Sequence, residues 1–260
     1  MNGALGVRRG SVLVLAGLVG SACSESSTGP DALADINLAV ATIAAEATLE
    51  DVRSMVLGTW GIGGAAPVSG VGNGPNFNLA PGDHFARTRP VTFYGGDGDV
   101  MDAFDELLTE SINIAIDVEG SVSRTNWSAE LERHRDFTVS GLSGEETQRT
   151  WNGTGTNEHS RARTHGEHGE QEYSMASSTL HENVVVGLPR NAHPWPLSGT
   201  VTKHFDVTVV NGPNGDVTHE RTVVIVFNGT RYVTLTVDGE AFEVDLADRQ
   251  GHRPGRRGNG

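Results

Sequence analysis

The spacing of apolar residues changes period along the chain, and each period predicts a different element. From Asp31 to Leu57 the apolar positions Leu33, Ile36, Val40, Ile43, Ala47, Val52 and Met55 follow a helical stripe. The alanine-rich composition supports a helix, because alanine loses no side-chain entropy there. The pattern allows a break in the helix between Thr48 and Asp51. Gly58 to Gly82 carries eight glycines and three prolines. This predicts a long irregular segment that wraps the fold, forms a lid or is mobile. His84 to Tyr94 reads as a strand ended by the turn Gly95-Gly96-Asp97-Gly98. Asp99 to Thr109 reads as a short second helix, capped by Asp99, with Val100, Phe104, Leu107 and Leu108 as its buried side.

From Ser111 onward the period is two. Ile112, Ile114, Ile116 and Val118 alternate with Asn113, Ala115, Asp117 and Glu119, the pattern of a half-buried strand. Residues 199–247 repeat it four times: Phe205, Val207 and Val209; Val223, Ile225 and Phe227; Val233, Leu235 and Val237; Phe242, Val244 and Leu246. Asn211-Gly212 with Asn214-Gly215, Asn228-Gly229 and Asp238-Gly239 separate these runs. Asn-Gly and Asp-Gly between alternating runs specify tight hairpins, so a four-strand antiparallel meander is predicted. Residues 125–186 add about four strands, at Trp127–Leu142, Glu146–Thr154, Asn157–His165 and Glu170–Val186, with Asn152-Gly153 marking a further tight turn. Residues 248–260 are polar, glycine-rich and basic, and read as a disordered tail.

The beginning of the chain carries a different signal. Arg8 and Arg9 precede the uncharged run Ser11–Val19, and the small residues Gly20, Ser21 and Ala22 lead to Cys23, the chain's one cysteine. A positive segment, a short apolar core and small residues at the cut form a secretory signal. No segment reaches the roughly 20 apolar residues of a membrane-spanning helix. Residues 1–23 resemble the signal and lipid-attachment segment of bacterial lipoproteins, with Gly20 standing where that class usually has Leu. The resemblance implies cleavage after Ala22, acylation of Cys23 and, with Ser24 next, the outer membrane. A single acyl chain binds a membrane only marginally, whereas several hold a protein there stably. The alternative is plain secretion, with Gly20-Ser21-Ala22 as the cleavage site. The division that follows is a signal peptide over 1–22, a lipidated tether over 23–30, one domain over 31–247 and the tail.

The formal charge is −14, and removal of residues 1–22, which hold Arg8, Arg9 and no acid, lowers it to −16. Such a body repels phosphate backbones, so nucleic acid is not an expected partner. With Cys23 acylated no thiol is left for a disulfide or a cysteine-based zinc site.

Candidate chemistry concentrates on the middle strands. On a regular strand His159, Arg161, Arg163 and His165 share one face, and Ser160, Ala162 and Thr164 the other. Arg133 and Arg135 share the parity of Leu131 and Phe137, and Arg149 lies two residues before Trp151. Arginine forks match carboxylate and phosphate, so these residues form a candidate anion-binding face. The competing reading is a solvated face whose cations pair with the protein's own carboxylates, with the small-residue side under the helix. His165, His168 and Glu170 in a glycine-rich turn have weak metal-ligand spacing. Asp97, Asp99 and Asp102 lack the order of a calcium loop and read as helix caps. Ser140–Gly144 misses the Gly-x-Ser-x-Gly elbow, and neither His-Glu-x-x-His nor a phosphate loop occurs. No catalytic residue, cofactor or metal is therefore assigned.

The fold class predicted is mainly β (α+β): a large curved antiparallel sheet or half-barrel with an N-terminal helix packed against it. That architecture is similar to that of lipoprotein carriers with a helix-covered half-barrel, a likeness that carries no ligand. The expected function is a non-enzymatic binding or structural module, held in the cell envelope by lipid. The alternative is a hydrolase whose site assembles only in three dimensions, with His159, His165 and His181 as candidates.

Overall fold

The computed structural model describes residues 30–56, 83–165, 169–212, 215–247 and 255–256. The one helix among them, α1 (Pro30–Val56), begins with a proline, whose missing N–H is one that a helix start leaves unpaired in any case. It buries Val40, Ala41, Ala44, Ala45, Thr48, Leu49, Val52 and Met55. These recur three and four residues apart, and the alanines let the helix backbone approach its support closely.

That support is an antiparallel sheet built from β1 (His84–Thr88), β2 (Val91–Tyr94), β3 (Val100–Met101), β4 (Ser111–Ser123), β5 (Trp127–Ser140) and β6 (Gln148–His165), continued by β7 (Gly169–Gly187), β8 (Pro196–Gly212), β9 (Gly215–Val226), β10 (Tyr232–Val237), β11 (Glu240–Asp245) and β12 (Gly255–Arg256). The order is β12-β11-β10-β9-β8-β7-β6-β5-β4-β2-β3, with β1 beside β4. From β4 to β11 every strand pairs with its neighbour in sequence, and the sheet does not close into a barrel. The mainly β prediction with one packed helix is met, and the meander over the last strands is β8 to β11.

Alternation sorts side chains onto an inner face, under α1, and an outer face. On the inner face the register sets Ile114, Phe137, Gly153, His181, Val201, Ile225, Leu235 and Phe242 side by side across eight strands. All of these except the glycine are buried, and they form the centre of the core. α1 crosses this face and packs on β8 to β11.

Several expectations are corrected. Residues 99–109 are not helical. Val100 and Met101 pair with β2, and one turn follows that goes no further, capped by Asp105 Oδ1 accepting the Leu107 and Leu108 N–H groups and closed by the Thr109 N–H on the Asp105 carbonyl. Val100, Leu107 and Leu108 are exposed, and of the expected apolar side only Phe104 packs against the core. His84–Tyr94 is two strands, interrupted at Arg89-Pro90, where proline has no N–H for the ladder. Residues 125–186 give three long strands instead of four. Asn152-Gly153 is not a turn: β6 runs through it with a register slip between Trp151 and Gly153, and Asn152 Oδ1 accepts the Asn183 N–H of β7. Within the segment expected to be a disordered tail, Gly255 and Arg256 pair with β11. The glycine-rich 58–82 and residues 1–29 lie outside the described residues.

Candidate functional site

On the inner face of any strand, alternation favours apolar residues. Three strand positions break that rule at one place, where they meet an acid of the helix. Asp51 of α1, Arg135 of β5, His181 of β7 and Lys203 of β8 are all buried, the last between Val201 and Phe205. Arg135 Nε donates to Asp51 Oδ1 at 3.2 Å, while His181 Nε2 and Lys203 Nζ each stand 3.3 Å from Oδ2. One carboxylate thus gathers three cationic or basic groups from three strands.

The glycines of β6 make this convergence geometrically feasible. Gly155 lies between Arg135 and Thr179 in the register. A Cβ there would come within 2.5 Å of Arg135 Cδ and 2.7 Å of its Nη1. Without one, the guanidinium lies across β6, and its Nη1 donates to the carbonyls of His134 and Thr156. Gly153 likewise leaves Phe137 edge-on to His181, with ring centroids 5.0 Å apart.

Electrostatics follow from burial and neighbours. Burial alone raises the affinity of the Asp51 carboxyl for its proton. The charge of Lys203, the His181 hydrogen bond and the charge of Arg135 outweigh it and hold the group well below the carboxylate range. Burial pushes Lys203 down from 10.5 to about 8, against the pull of Asp51. Burial also lowers His181, with Lys203 and Arg135 adding to the shift and Asp51 opposing it. A neutral His181 donating from Nε2 leaves its buried Nδ1 as an acceptor with no hydrogen-bond partner.

The predicted anion-binding residues separate into three groups. Arg135 belongs to the buried cluster, and Arg133 next along β5 pairs with Glu50 of α1 and reaches Asn157. Arg149 pairs with Glu146 and lies twelve residues along β6 from Arg161, about 40 Å at 3.3 Å per residue. His159, Arg161 and Arg163 stay together on the inner face, while the side chain of His165 lies outside the described residues. Arg161 stacks on Trp127 of β5, its Cζ 5.4 Å from the ring centroid. His159 is 7% exposed and faces Tyr173 at 6.2 Å. Burial, with the charge of Arg161 adding to it, lowers the histidine's pKa. The small-residue side of β6, expected under the helix, faces outward instead; α1 lies on the arginine side.

The outer face has the opposite sign. Glu119, Glu132, Glu158, Ala176, Asp206 and Glu220 stand in one row across six strands. Among the described residues no three His, Cys, Asp or Glu side chains are placed to share a metal ion, and no helix is long and apolar enough to cross a membrane. His168 lies outside the described residues, as do the side chains of His165 and Glu170.

Sequence reading missed Asp51 and Lys203. The available signal was an ionisable residue in an apolar slot: Lys203 in the alternation of β8, and Asp51 beside the helical stripe. No protein-family model matches this chain, and neither a curated protein nor a solved structure matches it.

Proposed function

We propose that this chain is a lipid-anchored cell-envelope protein whose body is a non-enzymatic binding or structural module. The address rests on residues 1–23: Arg8 and Arg9, the apolar run, and Cys23 behind Gly20-Ser21-Ala22. The lipid is its link to a membrane, with the outer membrane favoured by Ser24 and secretion as the competing destination.

The observation that carries the module reading is the sealing of the buried charge cluster. The hydrolase alternative needs one of its candidate histidines beside a carboxylate or hydroxyl where substrate can reach it. His181 and Asp51 are such a pair, yet their side chains are 0% and 6% exposed beneath α1. Their chemistry is directed inward, to Arg135 and Lys203, and fastens the helix to the sheet. This leaves the rest of the inner face, with its aromatic and arginine side chains, as the surface for a partner. The acidic outer row disfavours nucleic acid there.

The test of the address is mass spectrometry of the intact protein extracted from membranes of the native host. The expected product begins at Cys23 and carries diacylglycerol and an N-acyl chain, and Cys23→Ala releases it from the membrane fraction. An unmodified first residue on protein recovered from culture fluid overturns the anchoring.

A further inference from the structure

Strand parity separates charge in this sheet, and the separation strands two arginines. On β5 and β6 the acids Glu130, Glu132, Asp136 and Glu158 occupy outer positions, while Arg133, Arg135, Arg161 and Arg163 occupy inner ones. A chain of net charge −14 has carboxylates to spare. Arg124, Arg133, Arg135, Arg149, Arg221 and Arg231 each pair with one. Arg161 and Arg163 have no carboxylate partner among the described residues, because the acids of their own strands lie behind the sheet.

The surroundings of these two arginines have the form of a receiving site. Stacking on Trp127 fixes the Arg161 guanidinium. Its Nε is buried without a hydrogen-bond partner. Arg163 is exposed and stands opposite Trp127 in the register. Arg124, a second cation over the Trp127 ring, is neutralised by Asp83. One row inward lies His159, more than nine-tenths buried. Leu131 and Met175 flank it in the register and Tyr173 covers it, so the floor is apolar. Unpaired planar cations beside an aromatic, apolar floor suit a ligand with one anionic end and one apolar body.

We infer that the inner face around Trp127, His159, Arg161, Arg163 and Tyr173 binds a small amphiphilic anion, a phosphate or carboxylate carried on an aromatic or alkyl body. This rests on the module reading above and specifies its ligand class. The anionic group sits between Arg161 and Arg163, and the body lies toward Tyr173, Met175 and Leu131. Neither half of the ligand satisfies the site alone: a free inorganic anion leaves the floor uncovered, and a neutral ring leaves both arginines without a counter-charge.

The test titrates the full membrane-extracted chain, in uncharged detergent, with 1-naphthyl phosphate, 1-naphthol and inorganic phosphate, read by calorimetry and tryptophan fluorescence. The expected result is saturable binding of naphthyl phosphate, at least tenfold tighter than either of the others. Arg163→Ala and Arg161→Ala each weaken it about tenfold, and Trp127→Phe removes most of the fluorescence change. Arg231→Ala, at the far end of the sheet, leaves it unchanged. Arg163 is exposed, so that variant keeps its fold, and its unfolding curve checks this. The inference is overturned by absence of naphthyl phosphate binding, by equal binding of naphthol, or by arginine variants that bind like the parent. The N-terminal mass of the same preparation reads the anchoring independently, so an unmodified chain that binds, or an acylated chain that does not, shows which of the two has failed.

Discussion

Asp51 is the residue on which the inner face turns. Among the described residues its carboxylate is the one negative charge bonded to Arg135, His181 and Lys203, and all four groups are buried. Breaking a buried ion group by removing one partner is far more costly than the net worth of the group, because the remaining charges stay desolvated. Asp51→Asn is therefore expected to cost about 3–5 kcal/mol, read as a lower denaturant midpoint. Lys203→Met should cost less, since Arg135 and Asp51 still pair. The pH dependence has a definite sign. His181 binds its proton less readily folded than unfolded, so the unfolded chain takes up a proton first as pH falls through about 6.5. Asp51, held low in the folded state, acts in the same direction nearer pH 4. Lys203, lowered to about 8, adds stability as pH rises from there toward 10.5. Stability should thus fall from pH 7 to pH 5, and denaturant titrations of His181→Phe across that range should show a shallower slope than the parent.

Among the elements, β6 decides how the others meet. Its inner side has glycine at 153 and 155, where neighbouring strands carry Phe137, Arg135, His181 and Thr179. Gly155→Ala would place a methyl group against the Arg135 side chain and 2.8 Å from the His134 carbonyl, with backbone on one side and a buried ion pair on the other. A loss of about 1–3 kcal/mol is expected, measurable by thermal or chemical unfolding, from overpacking of that kind. The same stretch shows where sequence reading reaches its limit. Asn-Gly means a hairpin when the chain reverses and a bulge when it does not, and the dipeptide is the same in both. Asn211-Gly212, Asn228-Gly229 and Asp238-Gly239 separate alternating runs and lie at the ends of strands. Asn152-Gly153 has strand on both sides, with Trp151 buried and the alternation resuming beyond. Residues 99–109 failed for a related reason. Asp105 satisfies the backbone locally, and with Val100, Leu107 and Leu108 exposed only Phe104 of the expected apolar side packs against the core.

Across the whole molecule, what was legible was whatever depended on period. Alternation gave the antiparallel sheet, its helical stripe gave α1, and parity placed Arg133, Arg135, His159, Arg161 and Arg163 on one face. What was not legible depended on contacts between distant positions. Asp51 meets partners 84, 130 and 152 residues away. No local pattern announces that a carboxylate on the helix will lie over those particular strands. The same convergence removed Arg135 from the predicted anion-binding set, and proximity to Glu50 and Glu146 engaged Arg133 and Arg149.

Side-chain bonds fasten the helix toward both of its ends. Near its start Asn37 donates to Glu240 and accepts from Arg221 Nε, and near its end Asp51 holds its three basic partners. These points are fourteen residues apart, about 21 Å along the axis. Tension entering from the N-terminal side reaches the amide of Asn37 first and the carboxylate of Asp51 last. The helix should therefore peel from the sheet turn by turn under load, yielding its weakest attachment early, and the last grip to give way is the one made of charge.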